Sequence, residues 1–177
     1  MQVPRLGRCA LAAPAVLLAA CGSPPPPYED VIPRALRADF GPRVRVLVEE
    51  YQDTVAVDDA GARSACAVHL FGMEPNVART VARVRTMFAW ASCTWVRTEA
   101  GSVTDEAFAI DFQPGIQVRP TGENVREGVQ REFPERLHEV AQIGPVGELA
   151  RLDQERRRRA GEVAARSPVP RPTATRS

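Results

Sequence analysis

Lysine is absent from this 177-residue chain, and all 23 basic residues are arginine. That excludes Schiff-base lysines, phosphate-loop lysines and Ser-x-x-Lys nucleophiles. Histidine is nearly absent: only His69 and His138 occur, which limits nucleophile–histidine and multi-histidine metal designs. No Gly-x-Ser-x-Gly, His-Glu-x-x-His, calcium loop or phosphate-binding glycine loop is present. No metal, cofactor or catalytic constellation is therefore expected, and the chain reads as a binding protein rather than an enzyme. Long apolar runs are also missing. The longest, Cys9 to Ala20, has 12 residues, against the roughly 20 needed to span a bilayer.

The composition, 44% hydrophobic and 25% charged, is that of a globular chain. Arg5 and Arg8 followed by the short apolar run form a secretory signal over residues 1–20. It ends in Leu18-Ala19-Ala20-Cys21, which resembles the bacterial lipobox, where cleavage precedes a cysteine that becomes lipidated. Cys21 is the expected lipidation site. Each buried methylene of such an anchor contributes ~0.8 kcal/mol, and two chains hold stably where one does not. The expected location is the outer face of the cell membrane. Residues 21–33 then form a proline-rich tether, GSPPPPYEDVIP after the cysteine, which in polyproline II could reach roughly 35 Å.

Removing Cys9 and Cys21 from the count leaves Cys66 and Cys93 as an even pair in an exported chain, which implies a disulfide. A zinc site is the competing reading, but the spacing matches no zinc motif.

Residues 34–143 read as an α+β domain. A short helix from Pro33 to Phe40 is expected to stop at Gly41-Pro42. A second follows with Val44, Leu47, Val48, Tyr51 and Val55 on one face. Strands are expected at Ala65–Phe71, Val84–Val96, Phe108–Phe112 and Ile116–Val118. Placing Cys66 opposite Cys93 in an antiparallel pair also puts Val68 opposite Ala91 and Leu70 opposite Ala89. The 75–83 connection reads equally as a short helix or a long hairpin. Phe108, Ile110 and Phe112 alternate as in a strand with one buried face. His69, between Val68 and Leu70, then falls on the polar side. Trp90 and Trp95 fall on opposite faces, one in the core and one free for a contact. A closing helical pattern with Val125, Val129 and Phe133 is interrupted by Pro134. An Arg-rich helix occupies 144–166, and 167–177 has the composition of a disordered tail. The architecture is an N-terminal helix, an antiparallel sheet of about four strands and a closing C-terminal helix.

The lipobox and tether, the cysteine-bearing strand ending in Phe71-Gly72, the Phe88-Ala89-Trp90-Ala91-Ser92-Cys93 strand and Phe133-Pro134 together resemble uncharacterised lipoproteins of actinobacteria. The resemblance covers roughly residues 60 to 140 beside the signal. It implies the disulfide and surface anchoring, and no activity.

Charge is unevenly spread. Residues 21–150 hold 13 Arg against 19 acids, net −6, whereas 151–177 hold 8 Arg against 3 acids, net +5. The run Arg156, Arg157, Arg158 and Arg159 is a candidate contact for anionic lipid or wall polymer, or else a solvated helix end balanced by Asp153, Glu155 and Glu162. Nucleic acid is not an expected partner. Glu135 and His138 share a helix face, a fragment of a metal site at most. The acidic pairs Glu49-Glu50, Asp58-Asp59 and Asp105-Glu106 are adjacent, which does not supply two carboxyls facing one cleft. The expected function is a membrane-anchored protein-interaction module of the cell envelope. The alternative is a small-molecule or glycan-binding lipoprotein, and a cell-wall hydrolase stands third.

Overall fold

A computed structural model describes residues 29–55, 62–96 and 102–166. The signal, Cys21, residues 22–28 of the tether, the Asp58-Asp59 pair and the tail 167–177 lie outside the described residues. No helix among the described residues is long and apolar enough to cross a membrane.

The first helix, α1 (Arg34–Val55), is continuous and contains Pro42. The expected stop at Gly41-Pro42 does not occur. Leu36, Phe40, Val44, Val48 and Gln52, spaced by four, are buried as one stripe that crosses the proline. Proline removes one hydrogen bond to the carbonyl four residues back, here Ala38. Ala38 and Pro42 are both exposed, so the freed carbonyl is not an unsatisfied group buried in the core. Packing on both sides of the interruption keeps the axis intact.

Four strands follow, β1 (Arg63–Glu74), β2 (Thr86–Val96), β3 (Val103–Asp111) and β4 (Gln117–Pro120). They form an antiparallel meander in the order β1-β2-β3-β4. Cys66 and Cys93 stand opposite each other with Cα atoms 4.1 Å apart and are joined by a disulfide. Val68 faces Ala91 and Leu70 faces Ala89, as expected, but the register slips by one between Leu70 and Gly72. Phe71 is the extra residue of this bulge. Gly72 then lies directly under Leu137, where a Cβ would come within 2.3 Å of Leu137 Cδ1. The 75–83 connection is the long hairpin of the two alternatives, since it joins the antiparallel neighbours β1 and β2. A turn bonds Ala78 N–H to Pro75 O, and a single 3₁₀ turn covers Val81–Arg83.

The second half supplies α2 (Val125–Glu132), a 3₁₀ turn at Glu135–Leu137, α3 (His138–Ile143) and α4 (Leu149–Arg166). Both faces of the sheet are covered, which corrects the expectation of one buried face. Cys66, Leu70, Met87, Ala89, Phe108 and Ile110 pack against α1. Ala67, Phe71, Phe88, Trp90, Ala107 and Ala109 pack against Val129, Phe133, Leu137, Val140 and Leu152. The physical reason is visible in β3, where alanines alternate with Phe108 and Ile110. Small residues on the second face admit helices at close range instead of exposing a polar surface.

His69 is consequently buried, not on a polar side. Its Nε2 lies 3.1 Å from Glu29 Oε2, and its Nδ1 lies 4.0 Å from Glu148 Oε2. Residues 29–33, assigned above to the tether, are fastened to the domain. Asp30 N–H donates to Phe71 O, Asp30 Oδ2 accepts from Met73 N–H, and Ile32 is in the core.

Candidate functional site

The two edges of the sheet are built differently. On β1, Ser64 N–H donates to Asp53 Oδ1 and Cys66 N–H to Glu49 Oε1, while Leu70 O accepts from Arg37 Nη1. Several outward backbone groups of that edge are thus taken up by side chains of α1 and, further along, by Asp30, while Val68 between them has no such partner among the described residues. On the other edge β4 is short and pairs only with Phe108–Asp111. Thr121 N–H donates to Ala107 O at 3.1 Å, so odd-numbered residues of β3 direct their backbone groups away from β2. Val103 and Asp105 therefore present N–H and C=O groups that no described residue pairs with.

A cleft of about 710 Å³ wraps this open half of β3. On the α1 side it is bordered by Tyr51, Gln52, Trp95, Thr104 and Glu106; on the other side by Trp90, Asp105 and Gln142. Its acids are Asp105, Glu106 and Glu123, and it contains no arginine or histidine. Glu106 Oε1 accepts from Thr121 Oγ1 at 3.1 Å and from Gly122 N–H at 2.7 Å, which ties the carboxylate to the corner after β4. Gly128 of α2 makes that corner possible, because a Cβ there would sit 1.8 Å from Thr121 O. Burial and the nearby Glu106 carboxylate together push the Tyr51 phenol above its ordinary pKa.

The two tryptophans fall on opposite faces, as the spacing requires. Trp95 is half-buried and donates Nε1–H to Gln52 O at 3.2 Å. Trp90 is only 8% exposed, and its indole N–H has no acceptor among the described residues. Gly144, at φ +81°, lies flat against it; a Cβ would come within 3.0 Å of Trp90 Cε2 and Cζ2. Thr104 Oγ1 is likewise buried without a partner. A buried polar group without a partner costs about 1–3 kcal/mol, and two such groups lie in the walls of this cleft, below its surface.

The other residues singled out from the sequence lie elsewhere. Arg156 and Arg157 pair with Asp153, Arg158 with Glu155 and Glu162, and Arg159 with Glu49 at 2.7 Å. The arginine run is thus divided between solvent and the seam with α1. His138 Nε2 lies 2.9 Å from Phe133 O and does not meet Glu135. Among the described residues no group of three or more His, Cys, Asp and Glu is placed to hold a metal ion. Asp105-Glu106 is split across β3, one carboxylate to each face. Sequence reasoning noted the pair but not the cleft. The available signal was the brevity of the fourth strand beside the third. Compared with protein-family models, curated proteins and solved structures, the chain matches none.

Proposed function

We propose that this is a lipid-anchored extracytoplasmic protein, attached through Cys21, that binds a protein partner of the cell envelope in the cleft around β3. The observation that carries the reading is the uncovered half of β3. Backbone groups at Val103 and Asp105 offer the template for an added strand, the main-chain mode by which extended peptides join sheet edges. The three carboxylates and the aromatic rings favour a segment bearing arginine or lysine, through charge pairing and cation–π contact.

A photo-reactive residue at Val103 of the anchored protein tests this. It should capture one defined envelope protein, and the same group at Gln130 on the outer face of α2 should not. The purified partner should then slow hydrogen exchange at Val103 and Asp105, and Asp105→Arg should abolish both effects. Exchange at these amides unchanged by the captured protein would sink the reading. Anchoring is tested apart: Cys21→Ala should move the protein from the membrane pellet to the soluble fraction.

A second reading, a small-molecule or glycan ligand, is favoured by a cleft within the roughly 300–1,000 Å³ range of ligand pockets. Saturable change of tryptophan fluorescence with an amino sugar, retained in a variant whose β3 edge is blocked, would select it.

A further inference from the structure

The end of the domain opposite the cleft has an unusual surface. There the β1–β2 connection exposes Val77 at 70% and Val81 at 37%, and Val31 beside it is 80% exposed. Arg79, Arg83 and Arg85 are exposed on the same connection. Arg83 and Arg85 have no acidic partner among the described residues, and Arg79 donates only to the carbonyl of Ala78. Of the acids at this end, Asp30 and Glu74 are engaged by Arg136 and Asp111 by Arg119, while Glu135 is exposed beside Arg136. A net-acidic domain thus carries a basic, apolar tip at one pole and an acidic cleft at the other.

We infer that this tip rests on an anionic lipid bilayer and holds the cleft facing away from it. The inference relies on the Cys21 anchor proposed above. Three observations point to a bilayer rather than a protein groove. Valines interleaved with arginines on a protruding connection match an interface that takes apolar side chains and attracts cations. The chain between Cys21 and Glu29 is seven residues long, a reach of at most about 27 Å. Glu29 is pinned at His69, five residues before the end of β1, or about 17 Å from the tip at ~3.3 Å per residue. A lipid on Cys21 can therefore lie in the surface on which the tip rests. β2 starts at Thr86 and carries Trp95 one residue before its end, so the cleft would stand about 30 Å further out. The Arg156–Arg159 run is a weaker candidate because each of its members is ion-paired.

Co-sedimentation of the mature chain with Cys21→Ser, so that no lipid contributes, tests the inference. The vesicles are 30% phosphatidylglycerol in phosphatidylcholine, against phosphatidylcholine alone. Binding should require the anionic lipid and weaken with added salt. Arg79→Gln, Arg83→Gln and Arg85→Gln should each weaken it about fivefold, and the triple variant about a hundredfold. Val77→Asp should weaken it without removing an arginine, which keeps the test valid if the triple variant fails to fold. Absence of binding, equal binding to neutral vesicles, or loss only with Arg157→Gln and Arg158→Gln would overturn the orientation. None of these outcomes bears on whether Cys21→Ala releases the protein in cells, so the anchor and the orientation fail separately.

Discussion

The β1 edge and the open half of β3 pose the same physical problem and are treated in opposite ways. An exposed strand edge is a template for pairing with another chain. On β1, Asp53, Glu49, Arg37 and Asp30 occupy four of the outward amides and carbonyls at 2.6–3.1 Å, and the disulfide fastens this strand to β2. On β3, Val103 and Asp105 are left without backbone partners among the described residues. The fold thus has the means to seal an edge and applies them to one side only. The side left open is the one with aromatic rings, carboxylates and two unpartnered polar groups.

Changes to the sealed edge should therefore act on stability, and changes to the open edge on binding. The largest effect is expected from Cys66→Ser with Cys93→Ser. A cross-link spanning 27 residues contributes about 3.6 kcal/mol in the chain-entropy model, read from urea unfolding with and without the bond. A loss under about 1 kcal/mol would mean that side-chain sealing alone secures β1. Next comes Gly128→Ala, which has no room beside Thr121 O and should cost about 1–3 kcal/mol or more as an overpacked site. It should also loosen the Glu106 anchor, visible as a changed tryptophan emission spectrum.

Glu49→Ala removes the acceptor of Cys66 N–H and the partner of Arg159. The expected cost is about 1–3 kcal/mol, with faster hydrogen exchange at Cys66 and not at Val103. Acid dependence is a smaller effect. Burial would raise the pKa of Glu132, but hydrogen bonds from Arg131 and Arg119 outweigh it and hold the carboxyl below its ordinary range. A depressed folded value contributes stability above the unfolded value of about 4.3. That stability is lost as pH falls through the folded value. Glu132→Gln should flatten the fall of Tm below about pH 4.3. The smallest stability change belongs to Asp105→Asn, within about 0.5 kcal/mol. Partner binding should nevertheless fall, and a large stability change there would remove the contrast between the two edges.

Much of the frame was legible along the chain. Cysteine parity implied the disulfide, and the Cys66–Cys93 pairing set the β1–β2 register as far as Leu70. The slip beyond it depends on Leu137, a residue 65 positions further on that needs the space at Gly72. The Gly41-Pro42 dipeptide reads locally as a helix stop. Its override comes from Phe40 and Val44 packing into one core, a cooperative effect that a local rule does not contain. His69 was misplaced for a similar reason. Strand alternation says which residues share a face, but not whether a helix later covers that face. The cleft left only one trace in the sequence, the shortness of the fourth strand, because it depends on strands ending at different places, so that β4 leaves Val103–Glu106 uncovered.

What the sequence by itself determined was a mixed helix and sheet domain with one disulfide and two tryptophans on opposite faces. These follow from residue identity, parity and spacing, which are properties of the chain alone. The tertiary structure decided that both faces of the sheet are buried, that the arginine run is ion-paired and that one edge stays open. Those outcomes depend on which surfaces meet, and residues as far apart as Glu49 and Arg159, 110 positions, become neighbours only when the chain is folded.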